Sequence, residues 1–324
     1  MPLSRDVSVR PNPSVWAVVS TFRPGAAAEQ AVSSVLPQVD GVVVVDDGSG
    51  PDATPVLERL AGLGAEVVVL PANRGIAAAL NRGIDVARSR GATHVLTLDQ
   101  DSVVPDDFVS ALVAGAVRSG ADAPGALVPE YFASVRQARG QMRDGIADAV
   151  NVIQSGMLVP VATFDAVGGL REDFFIDLVD TEFELRLRAA GYRVVAVEGL
   201  RLGHALGAKY ERRFGGRPVR LPGIPPEVTL STPFRYFYRV RNRLVLNREY
   251  ARTAPAQILR DTALDGIHFV NALAVARPRR ALWRVYRAAV VAAMRGRMGR
   301  MPSALVPIAA TVRWNAPLMP DGAE

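Results

Sequence analysis

Two aspartates one residue apart, Asp99 and Asp101, end the apolar run "LTLDQDS" (96–102). On an extended segment, side chains at i and i+2 turn toward one side. Two hard oxygen ligands in that arrangement suit Mg²⁺ or Mn²⁺, which would cancel their repulsion and bridge a diphosphate. A solvated acidic turn would read the same way. A second acidic pair, Asp46 and Asp47, ends "VVVVDDGSG" (42–50). It offers acceptors for a base or ribose, or simply Asp-Gly turn chemistry. In "NRGIAAALNRGIDVA" (73–87), Asn73 and Gly75 precede a helix and Asn81 and Gly83 recur inside it. A glycine there lets a phosphate approach free helix N–H groups, and it equally serves an N-cap or a close helix crossing. A third acidic cluster, Asp177, Asp180, Glu182 and Glu184, crowds a helix start beside Phe174 and Phe175. Thr181 and Glu184 fit a capping box. A carboxylate at a helix N-terminus stays ionised, as a general base requires. His204, between glycines in "LGHALG", is a candidate ligand beside Asp101, whereas His94 and His268 read as ordinary polar residues.

These residues need strands and helices to position them. "SVWAVVS" (14–20), "GVVVVDD" (41–47), "AEVVVL" (65–70) and "THVLTLD" (93–99) read as buried strands. Helical patterns lie between them, over roughly 25–36, 52–63 and 76–90. Apolar strands alternating with helices predict an α/β fold with a mostly parallel sheet covered on both faces. In such sheets ligands bind beyond the carboxyl ends of the strands. Thr21, Asp46, Asp47, Asp99 and Asp101 all fall at those ends. Further on, 151–160 reads as a strand, 161–170 as a short helix and turn, 181–192 as an amphipathic helix and 193–198 as a strand. The first strand is followed by "TFRPG", and neither G-x-G-x-x-G nor a P-loop occurs, which disfavours a nicotinamide dehydrogenase or P-loop ATPase.

The 324 residues carry a formal charge of +6, unevenly placed: −9 over residues 1–200 and +15 over 201–324. Such asymmetry suggests two surfaces with different partners. "FRYFYRVRNRLVLNREY" (234–250) interleaves aromatics with arginines, and "RPRRALWRVYRAAVVAAMRGRMGR" (277–300) continues the pattern. These could hold a diphosphate against Arg239, Arg241 or Arg243, pack on a core, lie on anionic lipid, or bind nucleic acid. With no cysteine, thiolate metal sites and disulfides are excluded. "MPLSRDVSVRPNP" has no apolar core of signal-peptide length, and no apolar stretch is long enough for a transmembrane helix. The expectation is a cytoplasmic protein, or one resting on the cytoplasmic membrane face.

Taken in order, "VVSTF" with its proline, "VVDDGS", "NRGIAAALNRGI", "LTLDQDS", "SGMLVP", "FFIDLVDTEFELRLRAAGY", "LGH" and "YRVRN" are similar to the inverting GT-A glycosyltransferases of family 2. The "DQDS", "FIDLVDTE" and "RN" details resemble its bacterial rhamnosyltransferase branch. The resemblance covers residues 14–245. It implies a GT-A domain there, a flexible N-terminus over 1–13, and a basic helical region over 246–324 that it does not place. It implies a nucleotide-diphosphate-sugar donor, dTDP-rhamnose or a UDP-sugar such as UDP-galactofuranose, and a glycan or lipid-linked acceptor. Thr21, Asp46, Asp47, Asn73, Gly75 and Asn81 would hold the donor, with Asp99 facing the ribose and the metal. Asp101 and His204 would ligate Mg²⁺ or Mn²⁺. Asp180 would be the base. Asp177, Glu182, Arg241 and Asn242 would serve the acceptor or diphosphate. Two positions depart from the pattern. Val179 stands where many relatives carry an acid, and Asp46–Asp47 where Asp-Asn is common.

Other readings predict other features. A nucleotidyltransferase on this fold would want a lysine-rich loop after the first strand, which "TFRPGAAAEQ" lacks. A non-catalytic basic binding module would give Asp180 no role. No nucleic-acid partner is expected. The basic tail is expected to meet an anionic membrane surface or to mediate homo-oligomerisation.

Overall fold

The computed structural model describes residues 13–120, 123–203, 208–214, 217–218 and 226–319. The expected flexible stretch 1–13 therefore lies outside the described residues except for Pro13, and so does His204. Alternation begins at once: β1 (Val15–Thr21), α1 (Ala26–Val35), β2 (Gly41–Asp46), α2 (Thr54–Gly62), β3 (Glu66–Val69), α3 (Ile76–Ser89) and β4 (His94–Asp99). Then come α4 (Phe108–Arg118), β5 (Ala126–Phe132), β6 (Val135–Arg136), β7 (Ile146–Asp148), β8 (Met157–Pro160), α5 (Val161–Val167), α6 (Val179–Ala189) and β9 (Val194–Leu202). Three long helices follow: α7 (Arg235–Tyr250), α8 (Pro255–Val275) and α9 (Arg279–Met294).

The sheet runs β3-β2-β1-β4-β8-β5-β9-β7, with β6 on β5. β3, β2, β1 and β4 are parallel, so all four carboxyl ends open on one edge. β8 is antiparallel to β4, and the far half of the sheet is mixed. The strand expected over 151–160 is shorter than its apolar pattern. Residues 151–156 loop instead, with positive φ at Asn151 and Gly156, and bring Gln154 and Ser155 against the end of β4. Alternate strand residues feed two cores. Val18, Val43 and Val45 pack with α3, α5 and α6, while Ala17, Val19, Val42 and Val44 pack with α1, α2 and α4. Gly83 allows α3 its close approach, since a Cβ there would stand 2.2 Å from Val18 Cγ1.

α7 joins the sheet domain to the C-terminal helices. Val245 and Leu246 pack in the α3/α6 core, while Tyr236, Phe237 and Val240 enter a third core with Ala272, Leu282 and Tyr286. The boundary expected at 245/246 thus falls inside one helix. Arg239, Arg241 and Arg243 point inward, contrary to a free basic face, while Arg248 in its last turn is exposed. Arg239 and Arg243 bind Asp265 of α8 at 2.6 and 2.7 Å, and Arg241 is fully buried. His268 stacks on Tyr236, and burial pushes its imidazole down to about 4, so it is held neutral. No helix among the described residues is long and apolar enough to cross a membrane.

Arg241 and Asn242, expected at the acceptor or the diphosphate, are wholly buried and bind main chain instead. Arg241 donates to the carbonyls of Asp173, Phe174 and Gly299. Asn242 Nδ2 donates to those of Phe174, Ile176 and Asp177 at 2.8–3.2 Å. Both therefore fix the turn that leads into α6. Asn242→Ala leaves buried carbonyls without a donor and is expected to cost about 2–3 kcal/mol, lowering the thermal midpoint. Asn242→Leu should be at least as damaging. Calorimetric melting checks both, and an unchanged midpoint would remove the clamp from the account.

Candidate active site

The edge formed by the four parallel strand ends gathers the predicted residues unequally. Thr21 and Asp46 are register partners on β1 and β2, and Ser20 is opposite Asp99. The Asp46 carboxylate accepts from Ser49 N and Oγ at 2.8 and 2.5 Å, with Thr21 Oγ1 at 3.4 Å. The Asp47 carboxylate accepts from the N–H groups of Arg74 and Gly75 at 2.7 and 2.8 Å, and burial raises its pKa. Both acids therefore shape their own loops. Asp47 ties the end of β2 to the entry of α3.

At that entry Gly75 has φ +95°, and a Cβ would stand 2.2 Å from the carbonyl oxygen of Phe175. The same oxygen accepts from Ile76 N at 3.0 Å. So Gly75 is required for contact between α3 and the turn before α6, and the helix N-terminus is partly capped by protein. Asn81 also departs from the expected donor role. Its amide bridges Leu170 N and O at 2.7 and 2.8 Å and reaches Glu172 at 3.1 Å. It secures the chain on the other side of that turn.

Three carboxylates converge at the end of β4. Asp99 is pushed up to about 7, first by burial and then by the negative charges of Asp101 and Asp180. Gln154 Nε2 donates to Asp99 Oδ1 at 2.5 Å, and Ser155 Oγ receives the Asp99 N–H at 3.0 Å. Asp101 is exposed at the mouth. Asp180, on the first turn of α6, is pushed up to about 6 by burial, then by Asp177 and Glu184, although its own helix N–H groups favour the anion. Asp177 is held by Arg235, bidentate at 2.7–3.2 Å. The Arg235 charge also acts on Asp99 and Asp180.

The helix start differs from the expected capping box. α6 begins at Val179 behind Leu178, a left-handed residue, with no side-chain cap. Glu184 instead accepts from Val152 N at 3.1 Å and pairs with Arg188 at 3.0 Å. Glu182, expected near the acceptor, is buried in a pair with Arg186 and receives the Tyr250 hydroxyl at 2.9 Å. Both acids are structural. Sequence reasoning missed Gln154, Ser155 and Arg235. "IQSG" inside an apolar strand pattern was the available signal for the first two. Nothing local marks Arg235 out from its neighbours.

Whether this edge fits a divalent cation can be judged from its donors. Among the described residues no group of three His, Cys, Asp or Glu side chains forms a ready-made cage. Asp99 and Asp101 are nonetheless hard oxygen ligands whose mutual repulsion a cation would relieve. The buried Gln154 Oε1 beside them has no hydrogen-bond partner. That donor set suits an ion completed by a ligand's oxygens rather than by protein alone. His204 lies outside the described residues.

Comparisons with known proteins agree with this architecture. The Glycosyl transferase family 2 model matches residues 16–174. The chain is 28% identical over 252 residues to dTDP-rhamnosyl transferase RfbF of Shigella flexneri, covering 74% of this chain and 81% of that one. It is 27% identical over 183 residues to succinoglycan biosynthesis protein ExoA of Rhizobium meliloti, 52% and 55% of the respective chains. Among solved structures, GalNAc-T7 with UDP, GalNAc and Mn²⁺ superposes with a TM-score of 0.56 at 14% identity over 77% of this chain. TarS of S. aureus superposes at 0.53 and 15% identity over 91%. The chain spans half the length of each of those two, and they bear on the fold alone. The strand-end carboxylates thus sit on a GT-A-like sheet, and the chain is a glycosyltransferase whose residues 16–174 match the family 2 model.

Proposed function

We propose that this protein transfers a sugar with inversion, L-rhamnose from dTDP-rhamnose, onto a hydroxyl of a cell-envelope glycan or lipid-linked acceptor. The observation that carries it is the placement of Asp180, on the first turn of α6, within electrostatic reach of Asp99 at the end of β4. The sugar assignment is supported by the rhamnosyl transferase relative.

The donor lies along the strand ends, its nucleoside over Thr21, Asp46 and the Asn73–Gly75 loop and its diphosphate at Asp99 and Asp101. Those two carboxylates would hold Mg²⁺ or Mn²⁺, which when bound neutralises charge on the leaving diphosphate. Asp180 accepts the proton of the acceptor hydroxyl. The freed oxygen attacks the anomeric carbon from the face opposite the diphosphate. The C–O bond to the diphosphate breaks as the new glycosidic bond forms, and a single displacement inverts the carbon. Arg235 holds Asp177 beside the base and restrains the Asp180 charge.

The acceptor end suggests a membrane. α9 exposes Arg279, Arg280, Arg284 and Arg287 around Trp283 and Met294. α8 exposes Leu259, Leu264, Ile267 and Val270 while its aspartates 261 and 265 face inward. Cations with apolar side chains suit an anionic bilayer surface. Flotation with vesicles containing phosphatidylglycerol should carry the protein upward. Trp283→Ala with Arg284→Glu should weaken that, and failure of the wild type to float would remove the membrane from the reading.

Asp180→Asn should lower kcat by at least about 10³-fold while donor affinity stays within a few-fold. Loss of donor affinity with unchanged kcat would contradict a base at this position. The pH profile follows from the raised pKa. The base works ionised, so kcat/KM should rise with pH through about 6 and level off above it. A profile that falls over this range would assign the proton transfer elsewhere.

A further inference from the structure

Beside the donor edge a cleft of about 350 Å³ opens between the end of β3 and the turn before α6, and its lining includes Asn73, Arg74, Phe175, Gly299 and Arg300. Two of those residues come from the chain that follows α9, far from the family 2 domain in sequence. Residues 299–301 are nonetheless fastened to it and to α7. Gly299 N donates to the Asp173 carbonyl at 2.7 Å, Arg241 Nη1 donates to the Gly299 carbonyl at 2.5 Å, and Met301 N donates to the Tyr238 hydroxyl at 2.9 Å. Bonds on either side of Arg300 hold its backbone, while its side chain is exposed.

The charges of the cleft wall are matched except at that residue. Glu172 is paired with Arg74 at 3.0 Å and touched by Asn81. Asp173 is paired with Arg171 at 2.8 Å. Asp47 accepts from two backbone N–H groups, and Arg300 is near enough for its charge to favour the Asp47 anion. Arg300 makes no ion pair or side-chain hydrogen bond among the described residues. In the same lining, the buried Asn73 amide oxygen has no partner.

Strand order says which part of a donor reaches this cleft. From β4, where the diphosphate is placed, β1 and then β2 intervene before β3. At about 4.8 Å per strand, the cleft lies roughly 10–14 Å from Asp99, a nucleoside's length away. The end of the donor that arrives is the base. A uracil or thymine edge carries one N–H between two carbonyl oxygens. An amide acceptor beside a guanidinium donor complements it.

We propose that Arg300, delivered by the loop after α9, is a donor-binding residue that together with Asn73 recognises the pyrimidinedione base of the nucleotide sugar. This rests on the donor site described under Proposed function. It makes the C-terminal helices part of the active site rather than only a docking appendage. The cleft selects UDP and dTDP over CDP, whose base edge reverses the central donor and its neighbour.

The test is calorimetric titration with Mn²⁺ present, using dTDP, UDP, CDP and inorganic pyrophosphate as probes, on the wild type, Arg300→Ala and Asn73→Ala. The expected result is that dTDP and UDP bind the wild type and CDP binds far more weakly. Arg300→Ala should lose about 10-fold or more toward dTDP and UDP, as for a hydrogen bond to a charged group. Pyrophosphate affinity and the melting temperature should be unchanged. Unaltered dTDP affinity in Arg300→Ala would overturn the inference while leaving the donor site standing. Equal losses toward dTDP and pyrophosphate would place Arg300 on the phosphates and overturn the base assignment. A wild type that binds no nucleotide would overturn the donor reading itself, and this inference with it.

Discussion

Buried donors hold the turn before α6 in a shape that its residues do not favour alone. Phe175 has φ 67° and ψ −61°, with Ile176 N bonded to Phe174 O at 2.8 Å, a γ-turn of the strained hand. Asp177 and Leu178 follow, both left-handed and neither glycine. Each such residue costs about 1 kcal/mol or more. The turn persists because its carbonyls point into protein and find donors: Arg241 and Asn242 from α7, and Ile76 from α3. Removing either helix would leave unsatisfied carbonyls as well as strain. The placement of Asp177 and Asp180 follows from this turn. It fixes Asp177 against Arg235, starts α6 at Val179, and so sets Asp180 facing β4.

The second constraint is electrostatic. Burial and the charges of Asp101 and Asp180 raise the cost of ionising Asp99, and Arg235 offsets only part of it. A fold stabilised for its own sake would not collect these acids at one strand edge. Under the proposed function such a cluster would hold a cation, and the raised pKa of Asp180, about 6, would place its proton transfer near neutral pH. Glu182 and Glu184, on the same helix, are instead paired with arginines one helical turn away, Arg186 and Arg188.

Much of this was legible in the sequence, and what was not has a physical reason. The strands ending at Thr21, Asp46 and Asp99 announce themselves by apolar runs closed with polar residues, and parallel order puts their ends together. Periodicity also finds α6. It cannot say that "TEFE" forgoes its capping box, because Glu184 is claimed by Val152, a contact 32 residues distant. Nor does it say which way the arginines of α7 point. "YRVRN" reads equally as a ligand-binding or a lipid-binding face, and only tertiary packing shows that Arg241 and Asn242 bind backbone. Asn81 is a similar case. Its partner Leu170 lies 89 residues away, and no local pattern encodes it. Arg300 is the extreme case, since its neighbours in space come from the opposite end of the chain.

The measurement that bears most directly on the proposed function is donor binding with and without the proposed cation. Isothermal titration of dTDP, UDP and GDP, each with and without Mn²⁺, on the wild type and Asp101→Ala addresses it. The account predicts binding of a pyrimidine nucleotide that needs Mn²⁺ and is lost in Asp101→Ala, with GDP weak throughout. Nucleotide binding that ignores both Mn²⁺ and Asp101, or no nucleotide binding under any condition, would contradict it.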